Sequence, residues 1–234
     1  MIGWPGEVEV PTDVILADDQ AESAKGRPIR QVIFDFGNVL IYWKPEAAMV
    51  SRYGPEAIRD MLDNDKSGFF DANSMMDGGA PCAQAQAWVQ EHHGAPWDEM
   101  FTYYCDNFVD SLTGPVPGAR VLVKDLKAAG VGVWGLSNWG TELFPYAWGQ
   151  YPILHELDDL VVSGPIHMRK PHPDIYLHAL ERFGIRAEDA LFVDDKGMNV
   201  VAANKVGIRS VCFTDPYKLR NLLIESGLDI PRVR

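Results

Sequence analysis

Gln31-Val32-Ile33-Phe34-Asp35-Phe36-Gly37-Asn38-Val39-Leu40 is an apolar, aromatic and β-branched run interrupted by a carboxylate and followed by a glycine and an asparagine. A short run of this kind bounded by turn residues predicts a buried strand, Gln31 to Phe36, with Asp35 at its carboxyl end. The pattern repeats downstream. Val131 to Leu136, Asp159 to Ser163, Ala190 to Val193 and Arg209 to Phe213 read as further strands. Helical spacing fills the intervals: Val116 to Ala129 closes on Gly130, Pro173 to Phe183 on Gly184, and Asn199 to Val206 on Gly207. Strand and helix in alternation predict an α/β fold, a doubly wound parallel sheet with crossover helices on both faces. Ligands of such sheets bind beyond the carboxyl ends of the strands.

One interval breaks the rhythm. Between the first strand and Val116 lie about 80 residues without a convincing parallel strand, too many for an ordinary crossover. Glu56 to Asp63, Ala83 to His92 and Trp97 to Ser111 each carry helical spacing, and Pro115 and Pro117 mark the return to the sheet. The expected organisation is a core of residues 29–43 and 114–234, a helical insertion at 44–113, and an acidic N-terminal extension at 1–28. The extension up to Gly26 holds Glu7, Glu9, Asp13, Asp18, Asp19 and Glu22 against Lys25 alone, with little apolar surface to offset ordering entropy.

Charge and hydropathy exclude several function classes. The formal net charge of −12 repels phosphate backbones and anionic lipid, and no basic patch counters it, so nucleic acid is not an expected partner. The longest apolar stretch, Ala128 to Leu136, has nine residues and three glycines. A bilayer core needs roughly 20, so no membrane span is expected. Cys82, Cys105 and Cys212 are odd in number and far apart, which fits reduced, packed thiols and a cytoplasmic location. A monomer or weak homodimer is expected. No glycine-rich phosphate loop of the GxGxxG or Walker type is present.

Polar residues collect where the strands end. Asp35 ends the first, Ser137 and Asn138 the second in Leu136-Ser137-Asn138-Trp139, Lys170 follows the third, and Asp194-Asp195 end the fourth. Alone, each reads as a cap, a turn former or a solvated side chain. Together they place a carboxylate, a hydroxyl, an ammonium and a carboxylate pair on one rim.

The order Asp35, Ser137, Lys170, Asp194-Asp195, with separations of 102, 33 and 24 residues, resembles the four motifs of the haloacid dehalogenase-like (HAD) hydrolase superfamily. The resemblance covers Gln31 to about Leu228, implies a Rossmann-like core, and makes the helical insertion similar to that family's C1-type cap. Asp35-x-Gly37-Asn38-Val39, Ser137-Asn138-Trp139, Lys170-Pro171-x-Pro173, Phe192-Val193-Asp194-Asp195 and Phe213-Thr214-Asp215 further resemble the subgroup that includes the bacterial α-D-glucose-1-phosphate phosphatase. His172 departs from the acidic residue usual in the third of these motifs. By this resemblance Asp35 is a nucleophile that forms an aspartyl-phosphate, water then cleaves it, and Ser137, Lys170 and Asp195 complete the catalytic set. Ser137, Asn138 and Lys170 would hold the phosphoryl oxygens. Mg2+ would be held by Asp35, the Gly37 carbonyl, Asp195 and, directly or through a water, Asp194. The implied partner is a small-molecule phosphate ester, for example a sugar phosphate such as glucose 1-phosphate.

Gly37 departs from the pattern, because many HAD phosphatases carry there a second Asp that protonates the leaving group. Loss of such an acid costs around 10²–10⁴ in rate and least for leaving groups that depart easily. Among the aromatic residues beside the motifs (Tyr42, Trp43, Trp139, Phe144, Tyr146), Trp43 and Trp139 are the expected pocket-lining pair. His167 and His172, and the acidic run Asp60 to Asp65, read as solvated. Two other readings stand beside the phosphatase: a 2-haloacid dehalogenase acting without metal, and a non-catalytic phosphate-binding homologue.

Overall fold

The structure, a computed structural model, describes residues 27–232, so nearly all of the acidic extension lies outside the described residues. Strand β1 (Gln31–Phe34) leads through a tight turn into β2 (Ile41–Trp43). The turn forms because the Leu40 and Ile41 amides both donate to the Phe36 carbonyl, at 2.9 Å each, while Asn38 takes the left-handed backbone at φ 58°. Asparagine tolerates that region better than most side chains. This turn ends the first strand two residues earlier than its apolar run suggests.

The insertion contains α1 (Pro55–Met61), α2 (Asn64–Ser67), α3 (Phe69–Asp77), α4 (Cys82–His92) and α5 (Trp97–Asp106). The expected helix at Trp97 to Ser111 is broken at Asn107, whose side chain donates to the Tyr103 carbonyl at 2.8 Å; a 3-10 turn follows over Phe108–Ser111. Strand β3 (Leu112–Pro115) then pairs antiparallel with β2, forming a two-stranded neck where no strand was expected. Helix α3 was also unanticipated. It lies between Gly68 and Gly78 and contains Asn, Ser and Asp, which weaken its helical signature.

The remaining chain alternates: α6 (Ala119–Ala128), β4 (Gly132–Ser137), α7 (Phe144–Gln150), β5 (Asp159–Val162), α8 (Ser163–Ile166), α9 (Pro173–Phe183), β6 (Ala190–Asp194), α10 (Gly197–Lys205), β7 (Arg209–Cys212) and α11 (Pro216–Glu225). Five strands form a parallel sheet in the order β5-β4-β1-β6-β7. Strand β1 is central, and chain order reverses on either side of it, which opens a crevice at its carboxyl end.

Alternation along β1 builds both faces. Val32 and Phe34 enter the larger core with Val133 and Val193, and Ile33 enters the other with Leu136, Ile175 and Tyr176. Each fully buried aliphatic or aromatic side chain contributes about 1.5–3 kcal/mol. Gly135 is required by close approach, since a Cβ there would stand 2.5 Å from the Phe36 ring. Arg220 on α11 is buried against Asp125 on α6 at 2.7 Å, and the three cysteines are free thiols. Among the described residues no helix is long and apolar enough to cross a membrane.

Candidate active site

Of the polar groups expected at the rim, Asp35, Ser137, Asn138, Lys170 and Asp195 line the crevice at the end of β1, while Asp194 is buried against Lys170. Asp35 follows β1 directly, and its amide donates to the Val193 carbonyl at 2.9 Å, so sheet pairing continues one residue past the strand. The residue is 6% exposed. Its Oδ1 accepts the Ser137 hydroxyl at 2.7 Å and lies 2.9 Å from the Lys170 ammonium. Both partners hold the same oxygen, which leaves Oδ2 to face the cleft.

Lys170 is 3% exposed and held on three sides, by Asp35, by Asp194 Oδ2 at 2.6 Å and by the Leu136 carbonyl at 2.9 Å. Burial works to lower its pKa, but attraction to Asp194 and Asp35 prevails and raises it, so the group is a permanent cation. Asn138 positions it. The Asn138 side chain accepts the Lys170 amide at 2.8 Å and donates to the Lys170 carbonyl at 2.9 Å. That amide side chain is therefore engaged with protein, and a phosphoryl contact from Asn138 falls to its backbone.

Asp194 and Asp195 differ in duty. Asp194 is fully buried and accepts from the Lys196 amide at 2.8 Å, from the Asn199 side-chain amide at 3.0 and 3.1 Å on its two oxygens, and from Lys170. Its oxygens are saturated, so it fits the orientation of Lys170 better than direct ligation. Asp195 accepts Asn38 Nδ2 at 3.1 Å on Oδ2. Burial, and then the negative charge of Asp194, push its carboxyl up to about 7.

One oxygen from each of Asp35, Asp194 and Asp195 lies within 4.8 Å of the others. Three close carboxylates with a single buried ammonium leave excess negative charge, and hard oxygen donors suit Mg2+. The donor set fits a divalent cation through Asp35 and Asp195, with Gly37 lining the same cleft.

The cleft encloses about 580 Å³, part of it open to solvent. Its apolar wall includes Trp43, Phe108, Trp139 and Leu143. Trp43 donates through Nε1 to the Tyr104 hydroxyl at 3.2 Å and is partly exposed. Trp139 is only 6% exposed and packs among Phe36, Phe108 and Phe144, so it serves the core as well as the cleft wall.

Several lining residues carry roles that the sequence motifs did not assign. Asn38 bridges Asp195 and the Trp43 amide, and Asn199 holds Asp194. From α3 come Asn73 and Asp77. Burial pushes the Asp77 carboxyl up to about 6, although Lys196, Arg169 and Lys170 oppose the rise and Asp35 adds to it. His167 is occupied by the Gly78 carbonyl at 3.2 Å, and in the acidic run Asp60 and Asp63 pair with Lys66 at the surface.

Residues 29–207 match the model of the haloacid dehalogenase-like hydrolases. The chain belongs to that family. It is therefore a HAD hydrolase, and the constellation around Asp35 occupies the crevice where α/β sheets of this type bind ligands. Among curated proteins it is 26% identical over 186 residues to drimenol cyclase drtB of Aspergillus calidoustus, covering 79% of this chain and 34% of that one. It is 29% identical over 146 residues to a phosphoglycolate phosphatase of Nitrosococcus oceani, covering 56% and 62%. The chain thus spans less than two thirds of the length of these relatives. The fold matches a HAD family enzyme of Bacteroides thetaiotaomicron, solved as the wild-type protein with magnesium and inorganic phosphate. The TM-score is 0.61 at 21% identity, over 80% of this chain and 94% of the other.

Proposed function

We propose that this HAD hydrolase is a phosphomonoesterase that requires Mg2+ and acts on a small phosphorylated metabolite through an aspartyl-phosphate. The observation that carries the reading is the treatment of Asp35. Ser137 and Lys170 grip Oδ1, Oδ2 is left to the cleft, and Asp195, whose Oδ2 accepts Asn38, has an oxygen within 4.8 Å of an Asp35 oxygen. The phosphoglycolate phosphatase of Nitrosococcus oceani supports the same class of reaction.

Asp35 Oδ2 attacks phosphorus in line with the ester oxygen; as the new bond forms, the bond from phosphorus to that oxygen breaks, the oxygen leaves with the electron pair and takes up a proton, and water then cleaves the aspartyl-phosphate. The Lys170 ammonium and the Ser137 hydroxyl stand where negative charge accumulates on the phosphoryl oxygens, and they are fixed before substrate arrives. Bound at Asp35, Asp195 and the Gly37 carbonyl, Mg2+ would supply charge neutralisation between a phosphate dianion and the attacking carboxylate. Asp194 keeps Lys170 pointed at Asp35.

The apolar wall of Trp43, Phe108, Trp139 and Leu143 favours an ester with an apolar or sugar face. Sugar 1-phosphates join such a face to a comparatively acidic leaving hydroxyl. The direct test is para-nitrophenyl phosphate with Mg2+, native protein against Asp35→Asn, followed by a panel of phosphorylated metabolites. Turnover lost in Asp35→Asn and in EDTA is expected. Chloride release from 2-chloropropionate in EDTA, with no phosphatase turnover, would overturn the reading in favour of a dehalogenase, and phosphate binding without turnover would make the protein a binder.

A further inference from the structure

Cleavage of an alkyl phosphate ester needs a proton for the departing oxygen, and the carboxylates at the end of β1 and β6 are engaged elsewhere. Asp35 attacks, Asp194 holds Lys170, and Asp195 faces the cation position. Nothing at position 37 replaces them: a Cβ built on Gly37 meets no atom within 4 Å, so the space beside the nucleophile is open. Among the described residues one further carboxyl lines the cleft, and it comes from the insertion.

On the phosphatase reading above, we infer that Asp77 is the general acid and base of the reaction, delivered to the core active site by the last residue of α3. Four observations place it. Its main-chain oxygen accepts the Ser163 hydroxyl at 2.6 Å, and the same Ser163 oxygen accepts the Trp139 amide at 2.9 Å. Arg169 donates to the carbonyl and the hydroxyl of Ser74, and His167 pairs with the Gly78 carbonyl at 3.2 Å. Gly79, at φ 98°, admits no Cβ, which would fall 2.3 Å from His167 Nδ1. The end of α3 is thereby fastened to residues 163–169, the segment that runs directly into Lys170.

The side chain is suited to carry a proton. Asn73, one turn earlier, donates to Oδ2 at 3.4 Å, and Oδ1 is not part of that contact. The carboxyl ends its helix, where the macrodipole is negative and disfavours ionisation. Burial acts in the same direction, and its ionisation range near neutrality matches the task. The charged groups around it are Lys196 before α10, Arg169 and Lys170 before α9, and Asp35 after β1.

The proton balance closes over two steps. As the bond from Asp35 Oδ2 to phosphorus forms and the phosphorus-ester bond breaks, the Asp77 proton passes to the ester oxygen and an alcohol leaves. The Asp77 carboxylate then takes a proton from the water that attacks phosphorus, the phosphorus bond to Asp35 breaks, and phosphate departs with Asp77 protonated again.

The experiment compares native protein with Asp77→Asn, both with Mg2+, on para-nitrophenyl phosphate, phenyl phosphate and an alkyl phosphate. Asp77→Asn should lose around 10²–10⁴ in kcat/KM, which reports the steps up to departure of the alcohol, on the alkyl ester and less than tenfold on para-nitrophenyl phosphate, whose leaving group needs no proton, while the lost base lowers kcat on all three. Equal losses in kcat/KM across the series, or none, overturn the inference while leaving the phosphatase reading intact. A native protein that cleaves none of the three overturns the phosphatase reading itself. If Asp77→Asn does not fold, Asp77→Ser is measured on the same series and judged by the same outcomes.

Discussion

Lys170 Nζ lies 2.9 Å from Asp35 Oδ1 in a buried site, and it also carries Asp194 at 2.6 Å. Two buried carboxylates thus depend on one ammonium. Replacing it with methionine leaves both charges without compensation, and the loss of one partner of a buried pair costs about 3–5 kcal/mol. Lys170→Met is therefore expected to lose that much stability and to lower kcat by about 10² or more, the scale of losing one preorganised charge-stabilising donor. Urea melts and para-nitrophenyl phosphate turnover check both.

Cation binding should appear in stability without any substrate. Asp195 is pushed up to about 7 by burial and by Asp194, which marks negative charge awaiting a counter-ion. A ligand at a hundredfold excess over its Kd stabilises by about 2.7 kcal/mol, which for a domain of this size is roughly 5–10 °C in Tm. Mg2+ should raise the Tm of the native protein by several degrees and that of Asp195→Ala by less than about 2 °C. Thermal melts with and without EDTA are the measurement.

Asp77 makes stability depend on pH in a definite direction. Its carboxyl stands at about 6 in the folded protein against an ordinary 3.8. The folded state therefore binds more protons than the unfolded one between these values, and stability falls as pH rises through that window. Burial is the main cause, opposed by Lys196, Arg169 and Lys170 and reinforced by Asp35. Asp77→Asn should match the native protein near pH 4 and exceed it near pH 7 by at most about 3 kcal/mol. Denaturant melts in EDTA at the two pH values test the sign.

Trp139 and Trp43 should separate. Trp139 is buried among three aromatic rings, and its truncation removes core packing. Trp139→Ala is expected to cost about 3–5 kcal/mol in addition to weakening substrate binding. Trp43 is partly exposed on the cleft wall, so Trp43→Phe should raise KM with little change in Tm. Parallel kinetics and melts distinguish the pair.

Much of the core was legible because local chemistry and fold agree there. Helix α9 was bounded at Pro173 and Gly184 by the sequence itself, and the five strands of the parallel sheet were found to within two residues at each end. Asp35, Ser137, Lys170 and Asp195 all reach one crevice, as their positions at strand ends imply. The insertion was less legible. Helix α3 is polar enough in its middle and flanked closely enough by glycines to lose its periodic signature. Asp77 becomes visible only when tertiary contacts bring Ser163, His167 and Arg169 beneath it. The neck strands β2 and β3 escaped for a related reason, since Gly114 and Pro115 read as a loop until pairing with Tyr42 and Ile41 is known.

The fastening of α3 also constrains any attempt to graft a new specificity onto this scaffold. Ser74, Asp77 and Gly78 on one side, and Ser163, His167 and Arg169 on the other, behave as two halves of one buckle, so a transplanted segment must bring its own matching clasp. A donor segment that lacked those three residues would leave Arg169 without its grip immediately before the lysine, and the damage would reach the Lys170–Asp35 pair itself.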